Sequence, residues 1–466
     1  MGNEWKKIRL GDLISITHGY AFKGDDFSEA NFEGPIVVTI GNFDYTGGFR
    51  FESTKIKRCN NEYPAEYELL PGDILLVMTC QTEGGEILGI PGIIPDDNET
   101  YLHNQRLGKI IIKSSEVSSK YLYWLFLSRD FNLHLRVTAT GTKILHTAPK
   151  RIESFVFYCP PLPEQKAIAH ILGSLDDKIE LNRRMNATLE GMAQALFKSW
   201  FVDFDPVIDN ALIAGNPIPD ELTERAEVRS KALVDGTANR EVAKEFPAAF
   251  QLTEEMGWIP EGWEAMRLSQ AIKINPSVKL SKGKVVPFAD MKALPTEGYS
   301  INGVIKKKYS GGAKFQNDDV LLARITPCLE NGKTGLVDFL PSPSDVGFGS
   351  TEFIVLRGKG ELSLPYIACL AREESFRLHC IQSMVGSSGR QRVQNACFEN
   401  FYVACPTDLF VLKKFSEITQ HMFKKSTEQS KENHTLTNLR DTLLPKLISG
   451  ELRIPEAEKL TEEALV

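Results

Sequence analysis

The sequence predicts an α/β chain of the α+β kind, built as an internal duplication: two globular domains separated by a pair of long antiparallel coiled-coil helices. Three observations carry this. Motifs recur at a near-constant spacing, short buried-strand runs recur with them, and two long stretches hold a heptad stripe.

The repeat is visible in single motifs. Gly72-Asp73-Ile74-Leu75-Leu76-Val77 returns as Asp318-Asp319-Val320-Leu321-Leu322-Ala323, a shift of 246. Ile152-Glu153-Ser154-Phe155 returns as Phe398-Glu399-Asn400-Phe401, and Cys159-Pro160 as Cys405-Pro406, at the same shift of 246. Trp5, Arg9 and Leu10 match Trp263, Arg267 and Leu268 at 258, so the first copy carries about 12 extra residues before Asp73. Within each copy, short apolar or β-branched runs bounded by Gly, Pro and Asn read as buried strands: residues 36–40, 74–78 and 109–112, then 285–288, 320–325 and 353–356. Residues 121–127 and 366–371 read as short packing helices.

Each globular part is followed by a long helix. The first opens at Pro161-Leu162-Pro163-Glu164-Gln165, where proline and an early acid suit the helix start, and runs to about Trp200, about 50 Å at 1.5 Å per residue. Its seam is Ile168, Leu172, Leu175, Ile179, Asn182, Asn186, Leu189, Ala193 and Leu196. The second runs from about Leu412 to Leu444 and stops at Pro445, with the seam Phe415, Ile418, Met422, Ser426, Gln429, Asn433, Leu436, Leu439 and Leu443. Both stripes have a polar centre. Asn182, Asn186, Gln429 and Asn433 are therefore candidates for fixing the register of the pair. The expected organisation is 1–160 and 258–406 as globular domains, 161–203 and 407–452 as helices, 204–257 as an acidic, partly helical surface linker, and 453–466 as a C-terminal tail.

Charge is uneven. The net charge of −7 is matched by residues 203–255 alone, with twelve acids and five bases, whereas residues 267–333 hold twelve bases and five acids. Negative net charge therefore leaves room for separate basic, nucleic-acid-binding surfaces. The eight cysteines contain no C-x-x-C pair and no histidine at zinc-ligand spacing, which fits reduced, buried thiols. Charged and bulky residues near Trp5 argue against a signal peptide, and no apolar run approaches the ~20 residues of a membrane span. A soluble cytoplasmic protein, with no membrane partner, is expected.

Catalytic patterns are incomplete. Asn331-Gly332-Lys333-Thr334 suggests the end of a phosphate-binding loop, but Pro327 stands where that motif needs glycine. Asn275-Pro276-Ser277-Val278 suggests an amino-methyltransferase tetrapeptide but lacks the aromatic that stacks on a flipped base. Glu164-Gln165-Lys166 and Asp176-Asp177-Lys178 have nuclease-like spacing without a supporting carboxylate cluster. No catalytic or metal site is expected.

Basic and polar loops supply the positive signal, because phosphates need Lys and Arg while base edges need Arg, Lys, Asn, Gln or small polar groups. In the first domain the candidates are His18, Tyr20, Lys23, Gln81, Arg136, Thr142, Lys143 and Lys150. In the second they are Lys282, Lys284, Lys306, Lys307, Arg324, Ser388, Arg390 and Arg392.

The run Cys159-Pro160-Pro161-Leu162-Pro163-Glu164-Gln165-Lys166-Ala167-Ile168-Ala169 resembles the first conserved region of the specificity subunit of type I restriction-modification systems. Phe197-Lys198-Ser199-Trp200-Phe201-Val202-Asp203-Phe204, Leu443-Leu444-Pro445-Lys446-Leu447-Ile448-Ser449-Gly450 and the opening His18-Gly19-Tyr20-Ala21-Phe22-Lys23 are similar to the same family. The second helix departs from the pattern near residues 407–411, which lack both the proline and the glutamine of the first. The resemblance implies two target-recognition domains, each reading one half of a bipartite, asymmetric site in double-stranded DNA, with the helix pair setting their spacing. It implies a non-catalytic subunit that binds two modification (methyltransferase) subunits and restriction (translocase/nuclease) subunits. S-adenosylmethionine, ATP and Mg are implied in those partners, and no cofactor in this chain. A hidden nuclease or methyltransferase, a scaffold that does not read DNA, and the recognition subunit of a fused nuclease-methyltransferase system remain alternatives at this level.

Overall fold

The computed structural model describes residues 5–28, 33–51, 56–82, 84–387 and 389–465. The chain divides into two compact units, Met1–Glu180 with Asn433–Val466, and Leu181–Glu432. Both boundaries fall at the polar centres of the two long helices.

In the first unit, Lys6–Arg9 pairs antiparallel with Val156–Cys159, closing the domain just before the first long helix. A four-stranded antiparallel sheet runs in the order Ile14–His18, Leu107–Ile112, Ile74–Val77, Pro91–Ile93. Ile74–Val77 is buried along its whole length, as its unbroken apolar run requires. A second sheet has the order Phe27–Ser28, Arg58–Cys59, Ile36–Val38, Tyr101–His103, Glu68–Leu69, and its Ile36–Val38 and Tyr101–His103 strands are parallel. Helices Ser119–Phe126, Arg129–Thr138 and Pro149–Glu153 complete the domain.

The second unit repeats this plan. Trp263–Arg267 pairs with Tyr402–Pro406, and the four-stranded sheet is Lys273–Ile274, Phe353–Arg357, Asp319–Ala323, Thr334–Leu336. The companion sheet is Ile305–Lys308, Val285–Ala289, Gly347–Gly349, Lys314–Phe315, again with one parallel pair, Val285–Ala289 against Gly347–Gly349. Helices Leu364–Arg372 and Glu374–Gln382 stand where Ser119–Phe126 and Arg129–Thr138 stand in the first copy.

The long helices are Leu162–Phe201 and Phe410–Ser449. Ile168, Leu172, Leu175 and Ile179 share the core of the first unit with Leu436, Leu443 and Leu447. In the second unit Asn182 donates to Glu432 at 3.0 Å, Asn186 to Ser430 at 3.1 Å, and Ser426 to Glu190 at 2.8 Å. Numbers rise on one helix as they fall on the other, so the segments run antiparallel there. The buried stripe of the second helix also takes in Thr419, Phe423 and Arg440, while Ile418, Met422 and Leu439 are only half-buried.

Three expectations need correction. The second helix does not stop at Pro445: it passes through the proline and ends at Gly450, whose φ of +73° terminates it. Burial of Leu447, two residues beyond, compensates the lost backbone hydrogen bond. Residues 204–257 are not merely a surface linker. Helix Asp205–Ala214 buries Val207, Ile208 and Ala211, and its buried Asp205 and Asp209 accept paired hydrogen bonds from Arg225 (2.7 and 2.7 Å) and Arg229 (2.8 and 2.6 Å). Part of the acidic excess is thus neutralised inside the fold. The C-terminal stretch is a helix, Ile454–Leu465, because Ile454, Ala457, Thr461 and Leu465 recur at helical spacing. Ala457 and Thr461 are buried, and Ile454 and Leu465 pack on the core of the first unit.

The helix starts differ as the sequence departure suggests. Gln165 is fully buried and donates to the carbonyls of Glu116 (2.9 Å) and Pro160 (2.8 Å) while accepting from the Ser118 amide (2.9 Å). The position 246 residues on is Val411, which is buried in the apolar core of the second unit instead.

Candidate nucleic-acid interface

In the first unit one backbone residue gathers three loops. The Met78 amide donates to the Arg106 carbonyl at 3.0 Å, and the Met78 carbonyl accepts from the Thr147 amide at 2.9 Å. In the second unit the Arg324 amide donates to the Glu352 carbonyl at 3.0 Å, and the Arg324 carbonyl accepts from Val393 at 2.9 Å. Each of these three positions is displaced by 246 between copies. The strand ladders agree: His146 pairs with Thr79 and Leu145 with Cys80, while Arg392 bridges Ile325. The end of an interior strand, the turn after the parallel strand and the Gly-containing loop therefore converge in each domain.

In the first domain the convergence borders a groove of about 730 Å³, lined by Gln81, Asn104, Gln105, Arg106, Arg50 and Lys57, with Phe22 and Tyr45 as aromatic members. Of the sequence candidates, Gln81 lies in it. Thr142 and Lys143 project exposed from the neighbouring loop. That loop requires glycine at Gly141, where φ is +106° and a Cβ would lie 1.9 Å from the Ile144 carbonyl oxygen. His18, Lys23, Arg136 and Lys150 are exposed without lining the groove. Tyr20 buttresses the groove from behind. Its backbone bonds to His103 and Gln105 at 2.8 and 2.9 Å, and its ring packs on Phe22 and Tyr67 at 5.0 and 5.4 Å.

The turn 103–107 is itself braced. Buried His103 donates from Nε2 to the Leu107 carbonyl at 2.9 Å, and burial pushes its pKa down to about 4, so it is neutral at physiological pH. Asn104, Gln105, Arg106, Arg50 and Lys57 were not singled out from the sequence. The available signal was the polar run Asn104-Gln105-Arg106 wedged between two strand-forming runs, all three being base-reading residue types.

In the second domain Lys282, Lys284, Lys306 and Lys307 gather on one exposed hairpin, with Lys307 Nζ 4.3 Å above the Phe288 ring. Arg390 is exposed at the Gly-containing loop. Arg392 is held by Glu352 through Nε at 2.9 Å and Nη2 at 2.8 Å. Arg324 is a correction. Arg324 is half-buried: its Nη2 donates to the Val393 carbonyl at 2.5 Å and its Nε is buried, so part of its guanidinium braces the loop. Ser388 lies outside the described residues.

The register candidates divide between the units. Gln429 and Asn182 meet at 3.4 Å, and Asn186 meets Ser430. Asn433 is half-buried in the first unit. The motif look-alikes are structural: Thr334 is buried at the start of a strand, Lys333 donates to the Met291 carbonyl at 2.7 Å, and Asn275 locks onto Val355 at 2.7 and 2.9 Å. All eight cysteines are free thiols, seven of them buried. No helix among the described residues is long and apolar enough to cross a membrane.

Two copies of one mixed domain, each with a polar three-loop junction and each joined to a long helix, define a duplicated two-domain protein. Comparison with known proteins agrees. Residues 2–191 match the family model described as the type I restriction modification DNA specificity domain. The chain is 24% identical to the type I restriction enzyme HindI specificity subunit of Haemophilus influenzae, over 97% of this chain and 100% of the relative. It is 26% identical to the MjaIX specificity subunit of Methanocaldococcus jannaschii, over 76% of this chain and 73% of the relative. In fold it is similar to the type I restriction-modification S subunit from M. genitalium, with a TM-score of 0.53, 13% identity and 96% of each chain covered. Over nearly its whole length the chain is thus similar to type I restriction-modification specificity subunits.

Proposed function

We propose that each repeat reads one half of a bipartite, asymmetric site in double-stranded DNA. On this reading the chain is a non-catalytic, cytoplasmic subunit that assembles with two modification subunits and with restriction subunits. S-adenosylmethionine, ATP and Mg then belong to those partners.

The observation that carries this reading is the pairing of a repeated frame with divergent side chains. The backbone junctions at Met78 and Arg324 are equivalent, yet the turn they hold is Asn104-Gln105-Arg106 in one copy and Ser350-Thr351-Glu352 in the other. A preserved frame with altered polar residues is what two readers of different sequences need. The Lys282–Lys307 hairpin supports phosphate contact beside the second reader.

The test is sequencing of methylated adenines in cells carrying the chain with its modification subunits. A two-part motif with unequal halves and a fixed gap is expected. Methylation of the same motif without this chain, or by this chain alone, contradicts the proposal.

A further inference from the structure

The turn at 104–106 is a polar segment of the first domain's groove held by several backbone hydrogen bonds. The Gln105 amide donates to the Tyr20 carbonyl at 2.9 Å, the Arg106 amide to Asn104 Oδ1 at 3.0 Å, and the Arg106 carbonyl accepts from Met78 at 3.0 Å. His103 spans the same turn through Leu107. The Gln105 and Arg106 amides and the Arg106 carbonyl are thus engaged while the Gln105 and Arg106 side chains are exposed. Among the described residues the Arg106 guanidinium has no hydrogen-bond or ion-pair partner, unlike Arg58, which is held by Glu99 at 2.7 Å. An unpaired guanidinium on a pinned backbone, flanked across the groove by Gln81, has the two parallel donors that match guanine O6 and N7 in the major groove.

The second copy sharpens the point. At the position equivalent to Arg106 stands Glu352, an acceptor, and it engages Arg392 from the adjacent loop. The same place in the frame thus carries opposite charge in the two domains.

We infer that Arg106 is a specificity-determining residue that reads a guanine in the half-site bound by the first domain. The inference rests on the proposed DNA-reading function. The position shared by Arg106 and Glu352 is where the two repeats part in what they accept.

The experiment is methylated-adenine sequencing in cells carrying the full chain and its modification subunits, for the wild type, Arg106→Ala and Arg106→Lys. The wild type shows a bipartite motif with guanine at one position of one half. In Arg106→Ala that position loses about ten- to a hundredfold of its discrimination, while the other half and the gap persist. Arg106→Lys keeps the charge but not the paired donors, so it relaxes the same position. A motif unchanged in both variants overturns the inference and leaves the function standing. A uniform loss across all positions, restored by Arg106→Lys, also overturns it, because that marks a phosphate contact. A wild-type chain that directs no bipartite motif overturns the function itself.

Discussion

Asp319 and Arg357 face each other across two central strands of the second unit, and the fully buried Asp319 carboxylate accepts from Arg357 Nε at 2.5 Å and Nη2 at 2.8 Å. The first unit has its own version: Asp73, 246 residues earlier, accepts from Lys109 at 2.6 Å. The same acid at the start of the same strand is neutralised in both copies, though by different bases. In the second copy the match is bidentate and drier.

Removal of the base should therefore cost unequal amounts. Arg357→Ala strands a buried charge, so a loss of about 3–5 kcal/mol is expected. Lys109→Ala exposes a carboxylate that is already partly solvated, and a loss of about 1 kcal/mol or less follows. Denaturant unfolding of the two variants checks this. Equal losses would show that the bidentate geometry contributes nothing.

The start of the first long helix depends on one glutamine. Gln165→Ala leaves Ser118, Glu116 and Pro160 backbone groups without partners, at about 1–3 kcal/mol for each group that stays buried. Val411→Ala, at the equivalent start of the second helix, removes only apolar contact, and a smaller loss is expected. Proteolysis near the two helix starts distinguishes them: cutting near residue 165 should rise in the first variant without matching change near residue 411 in the second.

Acid sensitivity should be confined to the first unit in one specific way. The folded pKa of His103, about 4, lies below the ordinary value of 6.5, so folding favours the neutral ring. Its stabilising contribution is present above pH 6.5 and is lost as pH falls toward 4, on the order of 3 kcal/mol at full loss. The second unit has Gly349 at that place and no such dependence. His103→Gln retains a donor for the Leu107 carbonyl but cannot titrate. Melting curves of the variant should lose that part of the decline between neutral and mildly acid pH, and an identical decline in both proteins would sink the assignment.

Much of the scaffold was legible in the residues. Ile74–Val77 and residues 320–323 are apolar runs with only one burial environment open to them, and the heptad stripes follow from spacing alone. The polar helix centres were also legible, since Asn182 and Gln429 interrupt otherwise apolar seams. Less visible were features set by tertiary contact. Burial of Leu447 carries the helix past Pro445, and Arg225 and Arg229 draw Asp205 and Asp209 into the interior, against the pull of local composition. In the sequence the interface shows only through its charges, which favour Arg324 and Arg392. Only the fold reveals that Arg324 braces a loop and Arg392 is held by Glu352. Arg106 was hidden because nothing in a short polar turn tells which backbone groups will be pinned and which side chains left free.

The most direct measurement exchanges residues 1–160 for the corresponding domain of a similar specificity subunit and sequences the methylated adenines it directs. One half of the motif should change to that of the donor, with the other half and the gap retained. A motif unchanged in both halves would contradict the reading of DNA by the first repeat, and a change in both halves at once would contradict the division of labour between the two.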